Sequence, residues 1–504
     1  MLTNLHGRFA AVLIVMAATA LSCSESTAPE VGPGFQLLEL PGTTHHDTVR
    51  TELPGMLVAA LYDSAGRPRA NTEVSIQAVR PPDVQPLFKL LLLRDAMDSS
   101  RTWSSQGIQL RTDAAGIVRA RVKLGDLARD IAMLLVAQSP AGAVTDTVHF
   151  LVNPGAPVVF ALEPRDTALY EGGSYPLRAV VLDAYGNARG DKATTHTDST
   201  SITVTTDGSV RARHIGRGVV RGTLGGRVDS AWVSVVPHGV LVASRPARSG
   251  QPDQLLQFEL DGSNLTVIDA RTIEQPSISP SGTRIVFIDR SERAYLDGGR
   301  IFVREPDGVE HPLLPDYVAY QEKQMSPRFS ADEKWVYYAG GIGSWSIWRV
   351  HLDGTGSEIV VGPPSDGGGA YIGTYDPTPS RDGRYLAYLP TGSSQLRIRD
   401  LSSGDSVVGP GAQHLRWIPG TDLLVASSPD GFAILQPDGT VAHSVAVPLE
   451  GESPFDISPD GRWIAVSTYH EESGGRYIDL VNLDNGMRLP LGFSDDMGSL
   501  AWHP

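Results

Sequence analysis

Few side chains in this sequence have the types and spacing that enzymatic chemistry requires. The sequence contains no G-x-S-x-G nucleophile turn, no G-x-x-x-x-G-K-[ST] phosphate loop and no H-E-x-x-H metal motif. The run HHD at positions 45 to 47 is interpreted as a solvated loop, because adjacent side chains of a strand point to opposite faces and cannot share a metal ion. The run HEE at 470 to 472 is typical of a polar loop tip. We therefore predict no catalytic residue, no metal site and no cofactor.

Arginine and tyrosine stand out in the long loops of the second half of the chain. Both residue types are enriched in binding hot spots. We expect these loops to emerge together on one face of the fold, so that they form one binding surface. The alternative is that the tyrosines only pack the loops against neighbouring strands. The candidate binding residues are Arg245, Arg248, Arg290, Arg293, Tyr295, Tyr317, Tyr320, Tyr371, Tyr375, Tyr469 and His470.

The loops connect the strands of a repeated unit. Turns that end in glycine recur six times, with successive glycines 35 to 50 residues apart, close to the ~40 to 50 residues of a four-stranded propeller blade. Glycine tolerates the positive φ of a tight hairpin. Runs rich in β-branched and aromatic residues, such as Trp463 to Ser467, predict strands between the turns. The six turns are Asp261-Gly262, Asp307-Gly308, Asp353-Gly354, Ser403-Gly404, Asp438-Gly439 and Asn485-Gly486.

A segment at each end of this region suggests that the repeats close into a ring. Ser499 to Pro504 (SLAWHP) is similar to His414 to Pro419 (HLRWIP), which opens a full unit upstream. Gly239 to Ser244 (GVLVAS) is similar to Asp422 to Ser427 (DLLVAS), the second strand of that same unit. A sheet completed by strands from both ends hides exposed edges and ties the two ends together. We therefore predict six units closed by pairing of the two ends.

The sequences of the repeats resemble those of a known family. SPSGTRI at 279, SPDGRWI at 458 and the looser SRDGRYL at 380 resemble the repeats of TolB-like six-bladed β-propellers. The resemblance covers about half of the chain and implies a propeller over residues 238–504. It implies little about the ligand, because one propeller architecture hosts many functions. Some relatives carry a serine-hydrolase domain, whose nucleophile motif this sequence lacks.

Two further β modules are predicted before the propeller. Residues 155–237 contain five short strand signals separated by turn signals, the spacing of a β-sandwich. Their order resembles a bacterial immunoglobulin-like (Ig-like) domain, and residues 35–153 resemble a more divergent copy. Within the latter, Phe88 to Met97 (FKLLLLRDAM) is predicted to be core, as a short helix or a buried strand. The fold class is therefore all-β, with two Ig-like sandwiches followed by a closed six-bladed propeller.

The first 22 residues predict export. Arg8 precedes the apolar run Phe9 to Leu21, which is too short to span a bilayer as a mature helix and reads as a signal peptide. The segment ALSC at 20 to 23 resembles a bacterial lipobox, with its leucine one place nearer the cysteine than usual. The resemblance implies that Cys23 is lipidated. The alternative is an unmodified thiol inside an ordinary cleavable signal.

Cys23 is the only cysteine, so a disulfide, a thiol nucleophile and a cysteine-based zinc site are excluded from the remainder of the sequence. Residues 23–34 are small, polar and rich in proline and glycine, as in a flexible tether. Ser24 follows the cysteine, and by resemblance to Gram-negative lipoproteins this favours the outer membrane. We expect a lipid-anchored protein of the bacterial cell envelope.

Composition agrees with a large turn-rich β protein. A chain of 504 residues has room for about three domains. Its 53 glycines and 36 prolines favour many turns over long helices. The net charge of −15 comes without the basic clusters that follow a phosphate backbone. Nucleic acid is therefore not an expected partner, and we expect a monomer.

Three function classes remain from the sequence. The leading class is a non-enzymatic, membrane-tethered protein whose Ig-like modules are spacers and whose propeller binds an envelope protein or glycan. The second is a propeller enzyme such as a metal-dependent polysaccharide lyase, which needs several histidines and acidic residues around the channel. Only His414 and His503 lie in the predicted opening strands. The third class is a purely structural or adhesive stalk.

Overall fold

The computed structural model describes residues 35–139, 142–246, 253–291, 299–314, 323–341, 345–362, 374–391, 393–451, 453–470, 475–492 and 496–503. Every regular element within these ranges is a β-strand. A search of the same residues finds no helix with the length and apolarity needed to cross a bilayer. Two compact units are present. The first ends at Val158 and includes Leu182–Arg189, and the second comprises Val159–Val181 and continues from Gly190.

The first unit is a β-sandwich. One sheet has the order β1-β3-β7-β5 and the other the order β2-β9-β8-β4-β6. Alternating side chains of both sheets, including Leu57, Val122, Met133 and Phe150, meet in one apolar core. The strands are β1 (Gln36–Glu39), β2 (His46–Thr48), β3 (Glu52–Tyr62), β4 (Glu73–Ala78), β5 (Leu91–Asp95), β6 (Ile108–Arg111), β7 (Ile117–Leu124), β8 (Asp130–Ser139) and β9 (Gly142–Asn153).

Two sequence expectations concern segments of this unit. The segment Phe88 to Met97 contains strand β5, and its leucines at 91 to 93 are buried, so the predicted core role is confirmed and the strand alternative is correct. The solvated loop predicted at 45 to 47 is wrong in part. His46 and Asp47 begin β2, which pairs in parallel with the end of β9. Backbone pairing with a strand about 100 residues away is a tertiary effect that the local run of polar side chains does not reveal.

A smaller sandwich opens the second unit. Its sheets have the orders β11-β18-β17-β14 and β12-β16-β15, and Ile202, Val210, Val220 and Val233 form the core between them. A separate pair joins β10 and β13. The strands are β10 (Pro157–Glu163), β11 (Asp166–Tyr170), β12 (Ser174–Pro176), β13 (Arg178–Asp183), β14 (Thr194–His196), β15 (Ile202–Val204), β16 (Ser209–Ala212), β17 (Gly216–Leu224) and β18 (Arg227–Val236).

Six four-stranded antiparallel sheets follow in chain order, and we number them sheets 1 to 6. Sheet 1 contains β19 (Val240–Arg245), β20 (Gln254–Glu259), β21 (Thr266–Asp269) and β42 (Leu500–His503). Sheet 2 contains β22 (Ile273–Ile278), β23 (Ile285–Asp289), β24 (Arg300–Arg304) and β25 (Glu310–Pro312). Sheet 3 contains β26 (Lys323–Phe329), β27 (Trp335–Gly341), β28 (Ser346–His351) and β29 (Glu358–Val361).

Sheet 4 contains β30 (Thr374–Pro379), β31 (Tyr385–Pro390), β32 (Gln395–Asp400) and β33 (Ser406–Gly411). Sheet 5 contains β34 (Leu415–Trp417), β35 (Leu424–Ser428), β36 (Gly431–Leu435) and β37 (Val441–Ala446). Sheet 6 contains β38 (Phe455–Ile457), β39 (Trp463–His470), β40 (Gly475–Asn482) and β41 (Arg488–Pro490). All six predicted turn glycines have φ between 72° and 85°, which confirms their role in the hairpins.

Sheet 1 is assembled from both ends of this region. β42 pairs antiparallel with β19, with Val240 opposite His503 and Ala243 opposite Leu500. Leu500 and Trp502 are buried in a core that includes residues of sheets 1 and 6. The terminal segment therefore pairs with the segment Gly239 to Ser244, as the comparison of the repeats predicts. The opening strands of the six sheets are β42, β22, β26, β30, β34 and β38.

Candidate functional site

The opening strands and the residues beside them surround one cavity of about 500 Å³. Volumes of this size are typical of sites that hold a small ligand or a short segment of a larger one. All six sheets contribute to its wall. Its lining includes Ser244, Arg245 and Ser499 from sheet 1, Gln275 and Pro276 from sheet 2, Met325, Ser326 and Arg328 from sheet 3, Tyr375 and Asp376 from sheet 4, Gln413, His414 and Arg416 from sheet 5, and Pro454 and Arg476 from sheet 6.

Three of the opening strands bulge at the same position of the repeat. Gln275, Ser326 and Asp376 have φ of 52°, 51° and 50°, and the pairing register shifts across each of them. A proline follows each residue. Proline cannot donate to the ladder of a sheet, and a bulge is one of the few places where a strand tolerates it. The bulges therefore explain how these polar residues come to line the cavity.

Asp376 is the centre of a buried charge cluster. Its Oδ2 accepts a hydrogen bond of 3.0 Å from the backbone amide of Leu415. Arg416 Nη1 lies 3.3 Å from Oδ1, Arg328 Nη2 lies 3.7 Å from Oδ1, and His414 Nδ1 lies 3.8 Å from Oδ2. One carboxylate therefore joins sheets 3, 4 and 5.

Burial and the neighbouring positive charges shift the pKa of Asp376 in opposite directions. Burial by itself would raise the pKa of Asp376, but the guanidinium groups of Arg416 and Arg328 outweigh it and hold the pKa below its usual value. Burial, helped by the neighbouring charge of Arg416, lowers the pKa of Arg328 to about 10. Both groups are therefore charged at neutral pH, although at Arg328 the attraction to Asp376 does not fully offset the cost of desolvation.

The cavity wall also holds polar atoms that the fold itself does not satisfy. Among the described residues, Nε of Arg328 and Oε1 of Gln413 are buried and have no hydrogen-bond partner. A buried donor or acceptor without a partner costs about 1–3 kcal/mol. One is a donor and the other an acceptor. A ligand that carries both kinds of group would recover that free energy if the two side chains turned these atoms toward the cavity.

Polar contacts link the sheets across their opening strands. The amide of Gln275 in sheet 2 donates to Ser499 Oγ beside sheet 1 over 2.7 Å. The side-chain Oε1 of Gln275 then accepts from the amide of Ser326 in sheet 3 over 2.6 Å. Arg328 connects sheet 3 to Asp376 of sheet 4, as described above.

The remaining junctions are linked in the same way. Asp376 connects sheet 4 to Leu415 and Arg416 of sheet 5. Arg416 Nε lies 3.4 Å from Asp456 Oδ1 in sheet 6. Asp456 Oδ2 accepts from the amide of Trp502 in sheet 1 over 2.8 Å. Each sheet therefore has a polar contact with the next one, and sheet 6 has one with sheet 1.

The candidate binding residues from the sequence occupy different places. Arg245 and Tyr375 line the cavity, and Arg290 pairs at 2.8 Å with Glu274, which also lines it. Tyr469 lines a different cavity, described below. His470 ends strand β39, and its side chain is outside the described part of the structure. Also outside the described residues are Cys23, Arg248, Arg293, Tyr295, Tyr317, Tyr320 and Tyr371.

Several cavity residues were missed by reasoning from the loops. Arg328, Asp376, Gln413 and Arg416 lie in or beside opening strands, not in the long loops. The sequence did contain a signal for these residues. Strands enclosed by a ring seldom carry charged side chains, and the opening segments of these repeats do carry them. His414 and His503 in these strands were considered from the sequence only as candidate metal ligands, and of the two His414 lines the cavity. Within the described ranges, no three His, Cys, Asp or Glu side chains are close enough together to hold a metal ion.

Comparison with known proteins gives similarity to solved structures alone. No family model matches the sequence. No curated protein matches it either. TolB from Acinetobacter baumannii is 15% identical over 62% of this chain and 84% of its own, with a TM-score of 0.44. A structural genomics protein of unknown function from Bacteroides thetaiotaomicron is 11% identical over 69% of this chain and 89% of its own, with a TM-score of 0.35.

A third similar structure is the Swd1 β-propeller domain from Myceliophteria thermophila. It is 14% identical over 53% of this chain and 94% of its own, with a TM-score of 0.37. Identities of 11 to 15% do not transfer a ligand or an activity. The site is therefore interpreted from its own residues.

Proposed function

We propose that sheets 1 to 6 form a closed six-bladed β-propeller of the TolB-like type. The pairing of β42 with β19 and the polar contacts at all six junctions between consecutive opening strands support closure. Pairing with β42 covers the inner edge of β19, which would otherwise be an exposed strand edge open to aggregation.

We further propose that the protein is a non-enzymatic lipoprotein of the bacterial cell envelope and that it binds a ligand. In this account Cys23 carries the lipid in the outer membrane, residues 23–34 are a tether, and the two sandwiches are Ig-like spacers over 35–153 and 155–237. The propeller, residues 238–504, binds an envelope protein or a glycan through its central cavity. The protein acts as a monomer and without a cofactor.

The observation that carries the proposal is the cavity shared by all six sheets. Its buried Nε of Arg328 and Oε1 of Gln413 require hydrogen-bond partners that the described residues do not supply. Its lining includes Arg245 and Tyr375, the residue types favoured in binding hot spots. These features support ligand binding in the cavity rather than an inert, close-packed centre.

Envelope crosslinking followed by affinity capture tests this function. We expect the full-length protein to capture a specific component, and the double variant Arg245→Gln with Gln413→Leu to lose it. The control is Val267→Ala with Val441→Ala, two exposed positions on outer strands that should not affect capture. Capture that is unchanged in the cavity variant, or reduced equally in the control, would rule out the central cavity as the binding site.

A further inference from the structure

A second cavity, of about 620 Å³, lies in the second compact unit between the smaller sandwich and sheet 6. It has no lining residue in common with the central cavity. The sandwich contributes Asp166 and Arg217. The other side contributes Glu450 together with Thr468, Tyr469, Tyr477 and Arg488 of sheet 6.

The two walls of this cavity are held close together. A Cβ atom on Gly492 would lie 2.5 Å from Cβ of Asp166, so no larger residue fits there without movement of the backbone. Ser234 Oγ donates to the carbonyl oxygen of Pro490 over 2.8 Å. Ala168 and Val236 of the sandwich share an apolar core with residues of sheets 6 and 1. The cavity is therefore preformed, which lowers the entropic cost of binding.

Aromatic rings are exposed in and beside the cavity. Tyr469 is 41% exposed and projects from β39, and Tyr477 lies on the adjacent strand β40. Trp232, also 41% exposed, is opposite Asp166 in the sheet and lies under Arg217, whose Cζ is 4.3 Å from the ring centroid. An exposed ring presents an apolar face beside a polar rim, which matches the C–H face and hydroxyl edge of a pyranose sugar.

Carboxylates outnumber arginines around the rings, because Glu450 lines the cavity in addition to the two ion pairs. Arg217 Nη2 lies 3.9 Å from Asp166 Oδ1. Arg488 donates through Nε to Oδ2 of the buried Asp479 over 2.9 Å and through Nη2 to Thr468 Oγ1 over 3.3 Å. Because each arginine of the described lining faces a carboxylate, those residues present no uncompensated positive charge to a phosphate or another anion. It retains many donors and acceptors that suit hydroxyl groups.

We propose that this cavity binds an uncharged oligosaccharide. One sugar ring stacks on Tyr469, and its hydroxyls bond to Glu450 and to the Arg217–Asp166 pair. The inference is independent of the function proposed for the central cavity, since the two sites share no residue. It gives the protein a saccharide site at the joint between its second sandwich and the sheets.

Calorimetric titration of the full-length protein with maltotriose, cellotriose and triacetylchitotriose tests the proposal. We expect at least one of these to bind with a dissociation constant below about 1 mM. Tyr469→Ala should weaken that binding about tenfold, whereas Tyr469→Phe should retain it within about threefold, because the ring is kept. Since Tyr469 is 41% exposed, both variants should unfold at the wild-type temperature.

Gln413→Leu, in the central cavity, is the matched control and should bind the saccharide as the wild type does. The proposal is overturned if none of the three saccharides binds, or if Tyr469→Ala binds as tightly as the wild type. It is also overturned if binding is lost in Gln413→Leu, which would assign the saccharide to the central cavity. Loss of partner capture in that same variant would test the central-cavity function separately.

Discussion

The backbone amide of Trp502 donates a hydrogen bond of 2.8 Å to Oδ2 of Asp456. The donor is in the last strand, which completes sheet 1, and the acceptor is in the opening strand of sheet 6. The other oxygen of Asp456 lies 3.4 Å from Arg416 Nε in sheet 5. A single carboxylate therefore joins three sheets at the place where the two ends of the region meet. This relationship makes the last strand an integral part of the fold.

Truncating a buried apolar side chain of the last strand should destabilise the protein. Leu500 is 3% exposed, and Leu500→Ala should lower the free energy of unfolding by about 2–5 kcal/mol because it leaves a cavity. The matched control is Leu265→Ala, immediately before β21 of sheet 1, where the side chain is 55% exposed and the cost should be below about 0.5 kcal/mol. Urea unfolding followed by tryptophan fluorescence measures both. Equal costs would mean that the last strand is not part of the packed core.

The stability contributed by Asp376 should depend on pH. Asn tolerates positive φ and can still accept from Leu415, so Asp376→Asn removes mainly the charge and leaves two arginines without compensation. We expect a loss of about 3–5 kcal/mol at neutral pH. Because the pKa of Asp376 in the folded protein lies below the unfolded value of 3.8, its contribution is fully present above pH 3.8 and is lost as the pH falls through the folded pKa.

The difference in unfolding free energy between wild type and Asp376→Asn should accordingly shrink below pH 3.8. Asp405→Asn, on an exposed turn of the same sheet, is the control and should change stability by less than about 0.5 kcal/mol. Unfolding free energies measured across pH test this expectation. A difference that stays constant from neutral to acidic pH would contradict a role for the charge.

Alanine substitutions at two turn glycines distinguish the cost of backbone strain from the cost of a steric clash. Gly354 and Gly383 have φ of 78° and 69°, so alanine at either position is strained by about 1–2 kcal/mol. A Cβ on Gly354 would lie 2.5 Å from the carbonyl oxygen of Leu313, whereas a Cβ on Gly383 has no atom within 4 Å. Gly354→Ala should therefore lower the melting temperature more than Gly383→Ala. Identical shifts would show that the clash with Leu313 is relieved at no cost.

The repeats could be read from the sequence because they depend on local chemistry. The six turn glycines adopt positive φ as expected, since a tight hairpin needs it whatever surrounds it. The pairing of β42 with β19 was also predictable, because each segment matches a different strand of one internal repeat. The burial of β5 followed from its run of leucines, whereas the run left helix and strand as alternatives.

The cavity could not be read in the same way. Arg328 and Asp376 are 48 positions apart in the sequence, and only the arrangement of sheets 3 and 4 brings them together at 3.7 Å. Their position in repeat-opening strands marks them as unusual, but nothing local shows which charged group each of them meets. Tyr469 illustrates the converse, because its type suggested a binding role while its position assigns it to the second cavity. Side-chain networks between sheets are tertiary and require the fold.

The proposed lipid anchor depends on the thiol of Cys23 and can be tested at that residue. If Cys23 carries a lipid, the mature protein should fractionate with membranes and its N-terminal peptide should carry acyl mass, because several acyl chains bind a bilayer stably. Cys23→Ala should release or mislocalise the protein. Mass spectrometry of the N-terminal peptide checks the modification directly. Freely soluble wild-type protein with an unmodified N-terminal peptide would exclude a lipid anchor.

Site-specific photocrosslinking in cells is the most direct measurement of the central claim, that a partner enters the cavity shared by the six sheets. A photoreactive amino acid at Gln413 would report from the cavity wall, and the same residue at Val267, which is 53% exposed on an outer strand, is the control. We expect a discrete adduct with an envelope component from position 413, reduced by Arg245→Gln, and none from position 267. An adduct from position 267 without one from position 413 would contradict it.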